Sequence, residues 1–354
     1  MSESPPVFLQ ICANDSPPFA DLCRYYEAAA RGLGWQPLTV MLDTRAPVQE
    51  PTFHYLSSAL APLLKRLLGG RTPRLTVCHR YRAYRSLMSS GFATEPLVLV
   101  AHEFGLLRRR QRRLRRGLDR LLGRPSVRFA GVSDVVVEDL RRFVDPVWLL
   151  PNGIDLARAD AERLDAAAAR RELGLDASEF NIGVVGRLHP KKNPGLAVDG
   201  FRGALSRLGR EASSDLRLVF VGAGELESEI AQRAAGLPVR MQGFVAAAPR
   251  LMTAFDLLLV SSGEREAFGM VALEAMAAGV PVLCGPSPGP RFVTGDAGLH
   301  YDVDRHDAVA DALVRAYRDA GSGGLAMLAR KARVRVEHEF SVAAAGRRLA
   351  ALAD

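Results

Sequence analysis

Cysteine is scarce. Only Cys12, Cys23, Cys78 and Cys284 occur in 354 residues, and they lie 11, 55 and 206 residues apart. No Cys-x-x-Cys pair exists, which removes a zinc knuckle and a thioredoxin-type redox motif. Free thiols in a reducing cytosol are expected. No stretch of about 18 uncharged apolar residues occurs, so no membrane span is expected. The opening MSESPPVFLQIC has neither a basic leader nor a long apolar core, so no secretory signal is expected there. A P-loop sequence is missing, and no His/Cys set has metal-ligand spacing. What is present is an ordinary globular balance, 48% hydrophobic and 24% charged, which excludes disorder and collagen. A chain of this length is expected to form two domains.

The charge is unevenly placed. Residues 1–155 hold 22 Lys+Arg against 14 Asp+Glu, while residues 156–354 hold 25 of each, so the whole net charge of +8 lies in the first part. Much of it is one run: ten arginines and a single acid, Asp119, lie between Arg108 and Arg128. Leu106, Leu107, Leu114, Leu118, Leu121 and Leu122 recur at roughly helical spacing, which predicts an amphipathic helix with a basic face. Three readings fit: a solvated helix packed through its leucines, attraction to anionic lipid or an acidic lipid-linked acceptor, and nucleic acid. The last is disfavoured because no aromatic residues interleave with the arginines. Arg109, Arg112 and Arg116 are the candidate contacts to a membrane or an anionic acceptor.

Short apolar runs alternate with helical patterns throughout. VFLQICA, PLTVML, LTVCHR, PLVLVAHEFG, VRFAGVS and VWLLPNG read as strands in the first part. FNIGVVGRL, LRLVFVGAG, VRMQGFV, FDLLLVSSG and PVLCGP read so in the second. Strands alternating with helices predict parallel sheets covered on both faces. The whole pattern occurs twice, and Pro-Asn-Gly turn chemistry at Pro151–Asp155 marks the join. The expected fold class is therefore α/β, with two doubly wound Rossmann-like domains, 1–155 and 156–340, facing a central cleft. Ligands of such sheets bind beyond the carboxyl ends of the strands.

Two segments of the second domain carry the chemistry. In SSGEREAFGMVALEAMAAG a strand ends, a polar loop follows, and a helix begins near Phe268–Met270. Its first backbone N–H groups and its dipole suit a phosphate, and Gly269 permits close approach. Glu266 precedes that helix start and Glu274 lies inside the helix. A carboxylate repels a phosphate, so these acids should face hydroxyls: a ribose for Glu274, a sugar beyond the phosphates for Glu266. For Glu274 an ordinary exposed or capping helix acid is the competing reading. In VVGRLHPKKNPGLAV a strand ends at Gly186, and Arg187 and Lys192 follow in the loop. Paired cations there can neutralise a departing diphosphate, although surface cations in a loop fit the same spacing. Lys191 reads as their solvated neighbour.

Together these segments resemble the retaining glycosyltransferases of family 4, which include bacterial lipopolysaccharide and cell-surface glycan enzymes and have the two-domain GT-B fold. The residues that carry the resemblance are Gly186-Arg187-Leu188 with Lys192, then Glu266-Ala267-Phe268-Gly269-Met270-Val271 with Glu274. It extends through FVGAGELESEI, MQGFV and FDLLLVSS to FSVAAAGRRLAAL, and is looser over the first domain. The resemblance implies that Arg187 and Lys192 hold the donor diphosphate, Glu274 the ribose and Glu266 the donor sugar. Phe268, Gly269, Met270 and Val271 would line the phosphates or sugar, and Gly243, Phe244 and Val245 would flank the base. His102, ending PLVLVAH, resembles the family histidine that reaches the donor sugar from the first domain; a buried or capping histidine is the alternative. Asn152-Gly153-Ile154-Asp155 matches an interdomain turn, and the last helix, about 341–354, is expected to cross back to the first domain.

The sequence also departs from the family. The first β–α loop, Asn14-Asp15-Ser16-Pro17-Pro18, lacks the usual glycines, so Asn14, Asp15 and Ser16 are assigned to the acceptor side. GPSPGPRFV stands where a Gly-x-Pro-Glu type sequence is usual. Gly222-Ala223-Gly224 lacks the third glycine of a dinucleotide site, and Asp302-Val303-Asp304 reads as helix-start acids. The implied activity is metal-independent, retaining hexosyl transfer from a nucleotide sugar, with UDP favoured, to a hydroxyl of an anionic glycan or lipid-linked acceptor. Lipopolysaccharide core synthesis on the cytoplasmic face of the inner membrane is the preferred setting. No cofactor, metal or nucleic acid is expected. A sugar-nucleotide epimerase or phosphorylase of the same fold, and a silent nucleotide-sugar-binding protein, are the alternatives.

Overall fold

The computed structural model describes residues 4–12, 17–42, 52–55, 60–92, 94–105, 127–213, 215–263 and 266–354. Asn14, Asp15 and Ser16 lie outside them, as do Arg109, Arg112, Arg116 and the basic run from Leu106 to Leu122. The chain divides into two units, Met1–Asp155 with Phe340–Asp354, and Leu156–Glu339.

The N-terminal unit is built on seven strands: β1 (Val7–Cys12), β2 (Gln36–Leu42), β3 (Thr52–Tyr55), β4 (Leu75–His79), β5 (Leu97–Ala101), β6 (Val127–Gly131) and β7 (Val147–Leu149). Their order is β3-β2-β1-β4-β5-β6-β7, and every pairing is parallel. β1, β4 and β5 are buried along their whole length, as strands covered on both faces must be, and this is why they read as unbroken apolar runs. β3 was not expected. It is a four-residue edge strand paired only to β2, and TFHY carries too little apolar signal to announce it. Pro17 and Pro18, which looked like a stiffened loop, open the helix Pro17–Gly32, where a missing N–H costs nothing.

The terminal helix Val342–Ala353 belongs to this unit. A Cβ on Gly346 would lie 3.6 Å from the Ala29 carbonyl oxygen, and Arg74 pairs with Asp354 at 2.6 Å. The turn before residue 156 is fixed here too. Ile154 N–H donates to Phe340 O at 2.9 Å, and Tyr26 Oη donates to Pro151 O at 3.1 Å. A Cβ on Gly153 would stand 2.1 Å from Tyr25 Oη, so only glycine fits.

The C-terminal unit repeats the plan with β8 (Phe180–Val185), β9 (Leu216–Val221), β10 (Val239–Met241), β11 (Leu257–Val260), β12 (Val282–Cys284) and β13 (Leu299–His300). The order is β10-β9-β8-β11-β12-β13, again all parallel. Ile182, Leu218, Phe220, Leu257 and Leu283 fill its core against Phe201, Val309 and Leu313. Helices Pro194–Ser213 and His306–Gly321 meet closely because Gly200 and Gly203 carry no side chain: a Cβ would come within 2.3 Å of Val309 and 2.9 Å of Ala310.

In each sheet the first strand lies between its successor and a strand from after the reversal of winding: β1 between β2 and β4, β8 between β9 and β11. The carboxyl ends at these two switch points are where open α/β sheets hold ligands. Among the described residues no helix is long and apolar enough to cross a membrane.

Candidate functional sites

In the C-terminal unit the loops after β10, β9, β8 and β11 are stitched together in sheet order. Gly222 N–H donates to Gly243 O at 2.7 Å, and Gly186 N–H donates to Val221 O at 2.9 Å. A Cβ on Gly222 would stand 1.9 Å from Gly186 O, and its φ is +141°. These glycines therefore serve close loop packing, not a dinucleotide. Beyond Gly186, Arg187 is exposed. The chain then turns through Pro190–Lys192, where Lys192 N–H bonds to His189 O at 2.8 Å. Ser261 Oγ donates to Lys192 O at 2.9 Å and Gly263 N–H to Lys191 O at 3.1 Å. This second pair of bonds ties the β8 loop to the β11 loop across the switch point.

The tie brings together residues 74 apart in sequence: Lys192 Nζ stands 2.6 Å from Glu266 Oε1. The Glu266 side chain is only 16% exposed, and its second oxygen, Oε2, is buried with no hydrogen-bond partner among the described residues. A buried acceptor left open costs about 1–3 kcal/mol, so an orphan beside a fixed ammonium marks where a donor group belongs. Glu266 was expected to face hydroxyls; the structure gives it a cation on one oxygen and leaves the other open.

Three residues further on, Gly269 takes φ +97° and starts the helix Met270–Ala277 without a side-chain cap. The first intrahelical bond runs from Leu273 N–H to Gly269 O, so the N–H groups of Met270 and Val271 have no acceptor in the helix. Glu274 lies in the second turn, half-buried. Phe268 is 4% exposed and packs on Phe292 at 6.1 Å between ring centroids, so it can offer a ligand only its backbone. Phe244 is 79% exposed beside Gly243, while Val245 is half-buried.

The segment GPSPGPRFV, unreadable in the sequence, is the buttress of this loop. It forms the helix Pro288–Thr294, and Gly289 N–H donates to Glu266 O at 3.1 Å. A Cβ on Gly289 would lie 2.3 Å from Phe268 N. Asp302 pairs with Arg291 of that helix at 2.9 Å, a structural use of an acid that could have suggested metal.

At the N-terminal switch point His79 ends β4 and His102 follows β5. His79 Nδ1 lies 3.2 Å from His102 Nε2, and His79 Nε2 lies 3.3 Å from Gln10 Oε1. Asn152, whose buried Oδ1 has no hydrogen-bond partner among the described residues, lies beside the His102 ring. Burial pushes the His79 imidazole down to about 3. Burial, with the neighbouring His79 and Arg80, holds His102 well below its ordinary value, against the pull of Asn152.

Arg80 escaped the sequence reading. It has φ +72°, rare for a long side chain, and its guanidinium lies 4.3 Å over the Phe19 ring while Nε is buried without a hydrogen-bond partner among the described residues. Phe19 in turn meets His102 edge-on at 5.2 Å. Only its place just after an apolar strand could have drawn attention to it.

Residues 179–319 match the family model described as glycosyl transferases group 1. A D-inositol 3-phosphate glycosyltransferase of Rhodococcus jostii is 35% identical over 237 residues, which cover 59% of this chain and 51% of that protein. The chain spans about half the length of the curated relatives it matches. A glycosyltransferase of Rickettsia africae shares the fold with a TM-score of 0.78 at 15% identity, covering 99% of this chain and 98% of the other. Anabaena HepE, in complex with UDP, has a TM-score of 0.74 at 20% identity, covering 97% and 98%. The chain has the GT-B fold, two Rossmann-like α/β units, and residues 179–319 carry the group 1 glycosyl transferase segment.

Proposed function

We propose that the protein is a retaining glycosyltransferase that moves a hexose from a nucleotide sugar to a hydroxyl of an anionic polyol or glycan acceptor. The observation that carries this reading is the Lys192–Glu266 pair with its orphaned Oε2, set beside an uncapped helix start at a switch point. The amides of Met270 and Val271 receive the diphosphate, and Lys192 with Arg187 balances the charge as the glycosidic phosphate bond breaks. Glu266 Oε2 accepts a hydroxyl of the donor sugar, Glu274 accepts the ribose diol, and Phe244 stacks on the base, for which UDP is the proposed carrier. His102 contacts a substrate hydroxyl in the N-terminal unit. Bond cleavage and formation on one face, assisted by the leaving phosphate, retains configuration. Cations and amides neutralise the leaving group without a metal.

A panel of nucleotide sugars scored by thermal stabilisation tests this. One donor is expected to raise the melting temperature in proportion to the logarithm of its concentration, and to support transfer in excess chelator. Stabilisation by none of the panel would overturn the reading; activity lost to chelator and restored by a divalent ion would overturn its metal-free part. An epimerase would turn over the donor without acceptor, a phosphorylase would need a cofactor lysine, and a silent binding protein would be stabilised without turnover.

The acceptor side rests on charge. Arg80 offers a guanidinium that lies over the Phe19 ring, and the first part of the chain holds all the net positive charge. The inositol phosphate named for the Rhodococcus relative supports a polyol phosphate over the lipopolysaccharide core expected from the sequence. The basic run of the sequence supports a peripheral location at an anionic, cytoplasmic membrane face. Co-sedimentation with anionic vesicles is expected, falling several-fold when Arg109, Arg112 and Arg116 become serine. Unchanged sedimentation would remove that run from the reading.

A further inference from the structure

A polar line crosses the otherwise apolar N-terminal sheet. Gln10 lies on β1, Thr39 on β2, His79 at the end of β4 and His102 just past β5, four neighbours in the sheet order. Gln10 and Thr39 are register partners across β1 and β2. Glu27 joins from the helix Pro17–Gly32. Gln10, Glu27, Thr39 and His79 are all buried. Such groups are costly unless every one is satisfied, and when satisfied they fix one arrangement.

The arrangement has a direction. Gln10 Nε2 lies 2.9 Å from the Cys23 carbonyl, which can only accept, so that end of the amide is nitrogen. Its second hydrogen goes to Thr39 Oγ1 at 2.7 Å, and the Thr39 hydroxyl donates to Glu27 Oε1 at 2.6 Å. Gln10 Oε1 must then accept, so His79 carries its proton on Nε2. A neutral imidazole has one N–H, so His79 Nδ1 is bare and accepts. The ring facing it must donate, so His102 carries its proton on Nε2. The groups around the two rings are Tyr26, stacked on His79 at 5.4 Å, Phe19, Arg80 and Asn152, and among them only Arg80 is charged.

We propose that Glu27, Thr39, Gln10 and His79 form a buried positioning chain that fixes His102 as its Nε2–H tautomer and leaves Nδ1 as a hydrogen-bond acceptor. This rests on the reading of His102 as a substrate-contacting residue, and it gives that residue a defined role. Nδ1 receives a hydroxyl proton in a hydrogen bond and carries none to give, while the Nε2 proton is committed to His79, so His102 orients substrate and is not a general acid.

Long-range proton–nitrogen correlation spectra of the full chain, labelled at histidine nitrogen, read the tautomer directly and without substrate. His79 and His102 are assigned from their glutamine variants. Both rings are expected as neutral Nε2–H from pH 5 to 8. Gln10→Leu removes the acceptor and is expected to shift His102 towards the Nδ1–H form. The kcat for transfer should fall about tenfold in Gln10→Leu, the size of one lost hydrogen bond, with donor affinity unchanged. An Nδ1–H signature in the native protein, or no change of tautomer in a folded Gln10→Leu, overturns the proposal. If Gln10→Leu does not fold, the native spectrum alone decides. Because the tautomer is read without turnover, a failed transfer assay would count against the proposed function and leave this result standing.

Discussion

Lys192→Met is expected to lower kcat for sugar transfer by about 10²–10³-fold, the usual size of losing one preorganised charge-stabilising group. Methionine keeps most of the aliphatic stem, so the change isolates the ammonium. In the resting protein that ammonium sits 2.6 Å from Glu266 Oε1. The two side chains are half-buried and mostly buried, so the pair is screened less than a surface ion pair, yet its value for stability remains small. The large effect belongs to the reaction, where negative charge develops on the leaving diphosphate. Glu266→Gln keeps the shape of the side chain and removes its charge. If the two residues act as one unit, the double variant will lose much less than the product of the two single losses. A Lys192→Met enzyme within about threefold of the native rate would remove Lys192 from the chemistry, since a lost hydrogen bond to a charged group alone is worth about tenfold or more.

How much of this was legible before the structure depends on what kind of signal each element leaves. Fully buried central strands leave runs such as VFLQIC and FDLLLV, and both sheets could be read from them. Short edge strands leave almost nothing: Thr52–Tyr55 and Leu299–His300 are two to four residues with mixed polarity, and both were missed. A helix start rich in proline was misread for a different reason. Pro17-Pro18 were read as part of the first loop, but proline is at home in a first helical turn, and the pair opens a helix. Gln10 and Thr39 were invisible because one polar residue inside an apolar strand has no meaning until its partners, 29 and 69 residues away, are known. The site in the C-terminal unit lay between these cases. Each of its residues had an ordinary alternative reading, and only the family pattern joined Lys192 to Glu266. The structure adds a physical reason in the Ser261–Lys192 and Gly263–Lys191 bonds, which bring the two loops together. Arg187 remains exposed, so its contribution depends on the ligand.

The buried histidines make the N-terminal unit sensitive to acid, with a sign that follows from their pKa values. His79 is held at about 3 and His102 well below its ordinary value. In the unfolded chain both titrate near 6.5, so below that pH the unfolded state binds more protons than the native one. Their contribution to stability is complete above about pH 6.5 and is lost as pH falls towards the native values, at up to about 1.4 kcal/mol per pH unit for each ring. His102 is half-buried, so its share is smaller than that of His79. Paired carboxylates such as Asp199 and Asp160, also held low by arginines, add to acid unfolding only as pH approaches the ordinary carboxylate range. The window between pH 6.5 and 5 therefore belongs to the histidines. His300 is depressed as well, but it lies in the other unit. The two tryptophans, Trp35 and Trp148, are both in the N-terminal unit, so denaturant unfolding followed by their fluorescence reports that unit alone. Stability measured this way is expected to fall by about 1–2 kcal/mol per pH unit across the window. In His79→Gln, which keeps a polar group for Gln10 and His102, the slope is expected to fall by at least half, whatever the absolute stability of the variant. A native slope near zero between pH 6.5 and 5, or a slope unchanged in the variant, would mean that His79 is already protonated in the folded protein, and the direction assigned to the Gln10–His79–His102 line would be wrong with it.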